Sequence, residues 1–341
     1  MLETIWFLLW GVLWAVYFAL DGYDLGLGMN MPFLAENETD KRIIYNAAGP
    51  FWDANQVWLI TAGGVTFAAF PGTYAVMFSS LYTPLLLLLF ALIFRGVSFE
   101  FRRKVDSDSW RKFWDGCNIL GSFLPALLLG VAFANIFKGI PLNAQQINEG
   151  NLLTLLNPYG LAGGVLFVLL FSMHGGLWLA VKSQGEMEKR AAGLASKVWT
   201  AVLVVTVLFL VLTAVYTRLF DNYTSSPLLL IILVLAVAAL LMTRIYLGRG
   251  EHLKSWLSSA VTIISVTLFG VIGLFPALLP SSINPDYSMT IHNSASSPLT
   301  LKIMLAVALI FVPIVIAYQT WVHIRFGHKI TQEDLDYDEA Y

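Results

Sequence analysis

Residues 4–30 read TIWFLLWGVLWAVYFALDGYDLGLGMN. The block carries no charged side chain before Asp21, and it exceeds the roughly 20 apolar residues that an α-helix needs to cross about 30 Å of hydrocarbon. It also lacks the basic first region and the small-residue cleavage site of a secretory signal peptide. We therefore expect a retained transmembrane helix here.

The composition of the whole chain agrees with this first block. Of its 341 residues, 57% are hydrophobic and only 12% are charged, whereas soluble domains carry roughly 25% charged residues. This balance excludes an ordinary soluble enzyme, a disordered chain and a disulfide scaffold. The sequence predicts an all-α integral membrane protein with a single membrane domain, residues 1–341. Nine apolar blocks are long enough to span a membrane, at approximately 4–30, 51–71, 74–95, 117–137, 159–181, 198–218, 226–247, 256–279 and 299–325.

The positive charges predict the orientation of these nine helices. If the N-terminus lies outside, the inner segments hold seventeen of the twenty Lys and Arg residues. Only Lys138, Arg218 and Lys302 then lie in outer segments. Because cytoplasmic loops are enriched in Lys and Arg, we expect the C-terminus to be cytoplasmic.

The segments between the spans are short. The outer loops 138–158 and 280–298 are rich in Asn, Ser and Pro, and we expect them to form compact caps. The tail, residues 330–341, holds five acidic residues and is expected to be solvated. A formal net charge of −2 predicts no nucleic-acid partner.

Two aspartates lie late in the first span, where an unpaired charge is costly. Asp21 and Asp24 are three positions apart and share one helix face. The glycines between and after them permit close approach of another backbone, so this face is expected to pack against protein. One interpretation is a carboxylate pair in a proton path, with Asp24 nearer the cytoplasm. The other is a structural ion pair or hydrogen bond to a neighbouring helix, for which Arg95 is a candidate partner.

The second predicted span opens with GPFWDANQVW, residues 49–58. Asp53, Asn55 and Gln56 bring three polar side chains into the membrane together, and such a group can hold water and transfer protons. The alternative is that Asp53 only complements the dipole at the start of a helix. Trp58, further along, is a candidate for lining a path for a small apolar molecule.

Other residues that carry chemistry are few. Arg95 ends the third predicted span and could neutralise one of the aspartates or extend to the lipid headgroups. Arg102 and Arg103 behind it are interpreted as cations at the membrane surface that set the topology. His174 is the only histidine inside a predicted span, and we interpret it as a hydrogen-bonded core residue. The single cysteine, Cys117, excludes an internal disulfide and an all-cysteine metal cage, and no metal site is expected.

Several of these stretches together resemble one family. The most specific run is GPFWDANQVWLITAGG, residues 49–64, and DGYDLGLG, residues 21–28, precedes it. Shorter matches continue in order along the chain at 94–102, 114–115, 121–125, 157–161 and 275–282. Over essentially its whole length the chain resembles subunit II of the cytochrome bd-type quinol oxidases.

The resemblance implies a nine-helix subunit that binds no haem or other cofactor itself. Its partner is a larger subunit I that carries two b-type haems and usually a d-type haem (haem b and haem d), and that oxidises quinol. A small single-helix subunit and membrane lipid are further candidate partners. Oxygen reduction would draw protons from inside a bacterial or archaeal cytoplasmic membrane, so that a proton gradient forms without pumping.

The resemblance also implies roles for individual residues. Asp24, Asp53 and Arg95 match the ionisable positions of the family. Asp21 belongs to the same motif as Asp24, and Trp58 matches a position thought to line an oxygen path. The residues alone leave two other classes open, a proton-coupled secondary transporter and a purely structural scaffold. A transporter predicts discontinuous helices around a midplane site, whereas the carboxylates here cluster toward one end of the spans.

Overall fold

The computed structural model describes residues 1–337, and its main elements in this range are helices. Part of the predicted acidic tail, residues 338–341, lies outside the described residues. In chain order the helices are α1 Leu2–Leu34, α2 Glu38–Ala48, α3 Trp52–Ala69, α4 Pro71–Ser80, α5 Tyr82–Phe101, α6 Asp108–Lys138, α7 Leu152–Leu155, α8 Pro158–Lys182, α9 Gly185–Tyr216, α10 Phe220–Ser225, α11 Ile231–Gly248, α12 His252–Leu274, α13 Pro298–Arg325 and α14 Gln332–Asp336. A 3₁₀ turn, Pro227–Leu230, leads into α11.

Eight helical segments in the described part of the chain are long and apolar enough to cross a membrane. They correspond to every predicted block except the second, so the predicted all-α integral membrane class is confirmed. The second block, predicted at 51–71, forms α3, whose 18 residues extend about 27 Å at 1.5 Å per residue. Its first turns hold Asp53, Asn55 and Gln56, which make it less apolar than the other spans. The count of nine spans therefore stays a prediction.

The third predicted block, 74–95, is not one helix. The chain forms α4, interrupts the helix at Leu81 and starts again as α5. Pro84 explains the break, because proline has no N–H to donate to the carbonyl of Ser80 and its ring would clash with that carbonyl. The spanning helix consequently runs on past Arg95, which lies within the helix and not at its end.

Helix α1 lies at the centre of the bundle and packs against α3, α6, α8 and α12. At its crossing with α8 the two backbones touch. A Cβ atom on Gly26 would lie 1.9 Å from the carbonyl oxygen of Phe171, and one on Gly175 would lie 2.4 Å from the carbonyl carbon of Gly26. Gly28 meets the side chain of Ser122 on α6 in the same way. The close approach predicted for the glycines of this segment is confirmed.

The loops at one end of the bundle, which we call the sheet end, form a compact cap. Strand β1, Ala277–Leu279, pairs antiparallel with β2, Met289–Thr290, and Ile140 after α6 pairs with Ser281. Leu278 in this cap is fully buried. The prediction that these two loops form compact caps is confirmed.

The opposite end, the α2 end, consists of α2, the turns after α5 and α8, and the segment that follows α13. The Ile330 amide donates to the carbonyl oxygen of Lys182 at 2.7 Å, and the Lys182 ammonium donates to the carbonyl oxygens of Phe326 and His328. Leu335 of α14 is buried. This segment is docked on the bundle. The prediction that the tail is solvated is therefore wrong for Ile330 and Leu335, which are buried.

Helix α13 makes few contacts with the rest of the chain. Its most apolar window is only 6% buried. Two indole N–H groups attach its ends: Trp6 donates to the Leu301 carbonyl oxygen at 3.0 Å, and Trp58 donates to the side-chain oxygen of Gln319 at 2.8 Å. Most of the apolar surface of α13 therefore faces its surroundings.

The glycine contacts predict how single methyl groups change stability. A Cβ atom on Gly130 of α6 would lie 2.4 Å from the carbonyl oxygen of Gly163 on α8, whereas one on Gly193 of α9 meets no described atom within 4 Å. We expect Gly130→Ala to cost about 2 kcal/mol or more, because the helices must separate. Gly193→Ala should be neutral or stabilise by up to about 1 kcal/mol, since alanine is the better helix former. Thermal unfolding of the detergent-solubilised protein measures both, and equal effects would contradict the packing.

Candidate functional site

Two carboxylates and one guanidinium are buried together between α1 and α5. Asp21 is 0% exposed, Asp24 is 1% exposed and Arg95 is 0% exposed. Helix α1 presents both aspartates on one face because they are three residues apart. Helix α6 packs tightly against Arg95, because a Cβ atom on Gly121 of α6 would lie only 2.9 Å from the backbone nitrogen of Arg95. The tight helix contact keeps solvent away from this charge.

Arg95 and Asp21 form a buried ion pair. Nη1 of Arg95 lies 3.6 Å from Oδ1 of Asp21, which is too long for a hydrogen bond. Within residues 1–337, the guanidinium nitrogens and both carboxylate oxygens of Asp21 have no hydrogen-bond partner. The guanidinium also lies 5.5 Å from the centre of the Phe99 ring. The ion pair that the sequence left open as an alternative is therefore present.

Asp24 belongs to a hydrogen-bonded network of four side chains. The amide nitrogen of Asn55 donates to Oδ2 of Asp24 at 2.7 Å and to the Tyr23 hydroxyl oxygen at 2.8 Å. The Tyr23 hydroxyl lies 3.2 Å from Nε2 of His323. Oδ1 of Asp24 has no hydrogen-bond partner among the described residues. The network thus connects a buried carboxylate with a histidine in the last turn of α13.

The sequence analysis singled out Asn55 as a polar neighbour of Asp53, not of Asp24, and it missed Tyr23 and His323. Tyr23 lies between the two aspartates of the motif, and a hydroxyl buried in a membrane helix needs a partner, which was the available signal. His323 is 300 residues away along the chain. No local pattern in the sequence connects these two side chains.

Asp53 lies apart from this network. It occupies the first turn of α3 and is exposed on the surface of the chain, whereas Asn55, about 200° further round the helix, is buried. Val57 and Ile60 share the exposed face, with 48% and 73% exposure. Asp53 is thus separated from the two buried aspartates, and its first-turn position suits the helix-dipole alternative.

Trp58 and Gln56 occupy different positions on α3. Trp58 is buried and donates to Gln319, whose own amide nitrogen donates to the Ala54 carbonyl oxygen at 2.9 Å. Trp58 thereby ties α3 to α13. Gln56 is half-buried, and its amide nitrogen has no hydrogen-bond partner in the described part of the chain.

The protein family described as cytochrome bd terminal oxidase subunit II matches this chain over residues 2–326. The chain belongs to this family. It is 35% identical over 336 residues to the cytochrome bd ubiquinol oxidase subunit 2 of Bacillus subtilis (strain 168), which covers 98% of each chain. It is 36% identical over 366 aligned residues to the cytochrome bd-I ubiquinol oxidase subunit 2 of Escherichia coli (strain K12), covering 98% of this chain and 97% of the relative.

A solved bd oxidase structure has the same fold. The bd oxidase from Geobacillus thermodenitrificans matches with a TM-score of 0.74 at 18% identity, over 95% of this chain and 98% of the other. The family predicted from the motifs is confirmed by these relationships. As a bd oxidase subunit II, the chain is part of an oxidoreductase complex, and its designation implies a partner subunit I.

His174 of this bd oxidase subunit has no ring nitrogen free to bind a haem. An axial ligand needs a ring nitrogen directed into a pocket. Nδ1 of His174 lies 2.5 Å from the Ser259 hydroxyl and Nε2 lies 3.0 Å from the Ala19 carbonyl oxygen, so His174 is the hydrogen-bonded core residue that the sequence predicted. The remaining histidines also contact polar groups: His252 with Glu188, His292 with Glu3, His323 with Tyr23 and His328 with Asp334. Within residues 1–337, no group of three His, Cys, Asp or Glu side chains could hold a metal ion.

A second buried charge cluster fixes the α2 end of the subunit. Arg102, interpreted from the sequence as a surface cation, is 2% exposed and donates to Glu38 at 2.7 Å and to Asp115 at 2.6 Å. Lys41 donates to the same Asp115 at 2.8 Å. Burial and, next, the charge of Asp115 raise the pKa of the Tyr45 hydroxyl well above its ordinary value. Tyr45 therefore stays protonated and donates to Asp115 at 3.2 Å, and the cluster ties α2 to α5 and α6.

The ion pairs at the α2 end predict that two arginine substitutions lower the stability of the protein by different amounts. Arg102→Ala should destabilise the protein by about 3 kcal/mol or more, because it removes a buried cation from between two carboxylates. Arg111→Ala should cost at most about 1 kcal/mol, since its partners Asp106 and Asp108 have side chains that are 99% and 83% exposed. Thermal unfolding of the purified complex compares the two, and a larger loss in Arg111→Ala would contradict the assignment.

Proposed function

We propose that this chain is the haem-free subunit II of a bd-type quinol:oxygen oxidoreductase in the aerobic respiratory chain. In this role it supports the haem-bearing subunit I and helps to bring cytoplasmic protons and membrane-dissolved oxygen to the site of oxygen reduction. The observation that carries the proposal is the buried group of Asp21, Asp24 and Arg95, since ionisable residues within membrane spans mark functional paths. The relatives named as ubiquinol oxidase subunits support quinol as the electron donor.

The proposal includes nine spans in one membrane domain, with α3 as the second span. The N-terminus then lies outside a bacterial or archaeal cytoplasmic membrane and the C-terminus lies inside. The cations support this orientation, because Lys41, Arg102 and Lys182 all lie at the α2 end. The α2 end is then cytoplasmic, and Asp21 and Asp24 lie in the half of α1 nearer to it.

The buried group can hold and release a proton. Two carboxylates face one guanidinium, so the group is neutral when one carboxylate carries a proton. The oxygen Oδ1 of Asp24 has no hydrogen-bond partner among residues 1–337. In the proposal, this free oxygen is the atom that binds the proton. Arg95 balances the charge of the carboxylate that stays ionised. The haems of subunit I, when bound there, supply the electron transfer and the oxygen chemistry, and each electron passed to oxygen requires one proton.

Asp53 enters the proposal as a carboxylate at the boundary between the two subunits. It is exposed beside Val57 and Ile60, on a helix that the proposal puts in the membrane. An exposed charge on such a helix needs a polar covering. In the proposed complex subunit I covers this face, and Asp53 passes protons between the subunits. Lipid and a small single-helix subunit are candidates for the other exposed faces.

An apolar groove between α3 and α5 supports access of oxygen from the membrane. Its walls include Ile60, Gly64, Leu85 and Leu89. Oxygen is apolar and dissolves in the lipid that would meet this groove. Trp58 lies on the same helix but not among these walls, and its proposed place on an oxygen path rests on the resemblance to the family.

The structure bears differently on the two alternative functions, a proton-coupled transporter and a purely structural scaffold. A proton-coupled transporter requires a discontinuous helix around its binding site, whereas α1 continues unbroken from Leu2 to Leu34 through both aspartates. A purely structural role is favoured by one observation, the ion pair of Asp21 with Arg95. Spectra and kinetics separate these classes from the proposed one.

Absorbance spectra test the proposed division of cofactors between the subunits. We expect the purified complex to show haem bands of types b and d together with quinol-dependent oxygen uptake. Subunit II purified alone should show no haem band, because both ring nitrogens of His174 are already hydrogen-bonded. Haem in the isolated subunit would contradict the proposal, and proton-coupled solute uptake by vesicles that contain it would favour the transporter.

Removing single carboxylates tests the proton path. Asp24→Asn should slow turnover of the complex by at least about tenfold, and Asp53→Asn should also slow it, while both keep the haem content of the complex. Asp286→Asn is the matched control, because this carboxylate is exposed at the sheet end. Loss of haem in either variant would make that residue structural. Unchanged turnover in Asp53→Asn would return Asp53 to its role at the helix dipole.

A further inference from the structure

The contact between Tyr23 and His323 joins the buried carboxylates to the last turn of α13. The hydroxyl oxygen and Nε2 lie 3.2 Å apart, and the two rings pack edge to face with their centres 6.3 Å apart. Tyr23 is 0% exposed, whereas His323 is half-buried. Histidine exists in a neutral and a protonated form that differ in their hydrogen-bond donors. A side chain with two charge states thus contacts, at the α2 end, the hydroxyl that belongs to the Asp24 network.

The hydrogen-bond pattern determines where the protons lie when His323 is neutral. Nδ1 of His323 lies 2.8 Å from the carbonyl oxygen of Gln319, which only accepts, so Nδ1 carries the proton and Nε2 accepts. The Asn55 amide donates to the Tyr23 oxygen, so the single proton of that hydroxyl is directed to Nε2. Neutral His323 therefore turns the Tyr23 proton away from Asp24.

Protonation of His323 reverses this pattern. A charged imidazole carries N–H on both nitrogens, so Nε2 donates to the Tyr23 oxygen and the hydroxyl proton needs another acceptor. Oδ2 of Asp24, which accepts from the same Asn55 amide nitrogen as the Tyr23 oxygen, is the acceptor that the proposal assigns to it. We propose that His323 is a positioning residue that controls, through Tyr23, whether Asp24 receives a hydrogen bond, so that cytoplasmic acidity acts on the buried carboxylate. The inference rests on the proposed function, which gives Asp24 its part in proton delivery.

The groups that surround His323 come from three other segments. Tyr23 faces it from α1, and the Phe51 ring before α3 packs on the imidazole with 4.6 Å between centres. Lys182 of α8 is the charged group on this side, with Nζ 5.9 Å from the centre of the Phe51 ring. Trp178, also of α8, packs at 6.1 Å and adds no charge. A protonated His323 thus has the cation Lys182 nearby, whose ammonium is already hydrogen-bonded to carbonyl oxygens of the docked tail.

Three substitutions distinguish this role from a structural one. His323→Gln keeps an acceptor for the Tyr23 hydroxyl but cannot be protonated. His323→Phe keeps the ring packing but frees the hydroxyl, and Tyr23→Phe removes the hydroxyl. The measurement is the pH profile of quinol-dependent oxygen uptake by the purified complex, with haem content as the check on assembly. His328→Gln is the matched control, because His328 is an exposed histidine of the tail.

The expected shifts have opposite signs. In His323→Phe the acid limb of the profile should move to lower pH, because the freed hydroxyl stabilises the Asp24 carboxylate permanently. In His323→Gln and Tyr23→Phe it should move to higher pH, since Asp24 never receives that hydrogen bond. Each shift should be about one pH unit, the size expected for a hydrogen bond to a charged group. The double variant His323→Phe with Tyr23→Phe should behave as Tyr23→Phe alone, and His328→Gln should match the wild type.

Several outcomes would overturn the inference. Wild-type profiles in all three variants with full haem content would do so, and so would additive shifts in the double variant. If His323→Phe fails to assemble, the test rests on His323→Gln and Tyr23→Phe, which must shift in the same direction. The Asp24→Asn variant distinguishes a failure of the His323 inference from a failure of the proposed function. Unchanged turnover in Asp24→Asn refutes the proton path itself, whereas slowed turnover with unshifted profiles in the other variants refutes only the control by His323.

Discussion

A guanidinium and two carboxylates in the membrane region tolerate no contact with lipid, and this constraint determines how the helices pack around α1. A charge at bilayer depth is costly unless it is paired and enclosed, so Arg95, Asp21 and Asp24 must be covered by protein on every side. Enclosure requires very close helix contacts. Gly26 lets α8 touch the backbone of α1, and Gly121 lets α6 reach the backbone at Arg95. The glycines and the charges of this region therefore depend on each other.

The features that follow from local chemistry could be predicted from the sequence. Long apolar blocks become helices because a membrane offers no other hydrogen-bond partners to the backbone. The glycines of residues 21–28 predicted a close helix contact, and the spacing of Asp21 and Asp24 predicted a shared face. Pro84 also carried the signal for the break at Leu81, but the length of the apolar block concealed it. Local patterns thus determined the class of fold and most of its helices.

The features that could not be predicted depend on partners far away in the sequence. Asp53 and Asn55 are both polar and lie two residues apart, so composition alone cannot say which of them faces inward. The rotation of α3 is set by two contacts, Asn55 with Asp24 at 2.7 Å and Trp58 with Gln319 at 2.8 Å, and the second joins residues 261 positions apart. The same holds for the docked tail, whose partner Lys182 belongs to α8. Long-range hydrogen bonds determine these positions, and no periodic pattern in the sequence indicates which distant residues form them.

The weak packing of α13 within its own chain links assembly to proton delivery in the proposed complex. Gln319 of α13 donates to the carbonyl oxygen of Ala54, the residue next to Asp53, so α13 contacts α3 close to the residue that carries the exposed carboxylate. We expect a partner subunit that covers Asp53 also to reach this part of α13. By holding α13 in place, such a partner would keep His323 against Tyr23 and so keep the Asp24 network intact. Lipid cannot replace it, because lipid tails offer no polar group to an exposed carboxylate. The subunit that would receive the protons is then the one that completes the path by which they arrive.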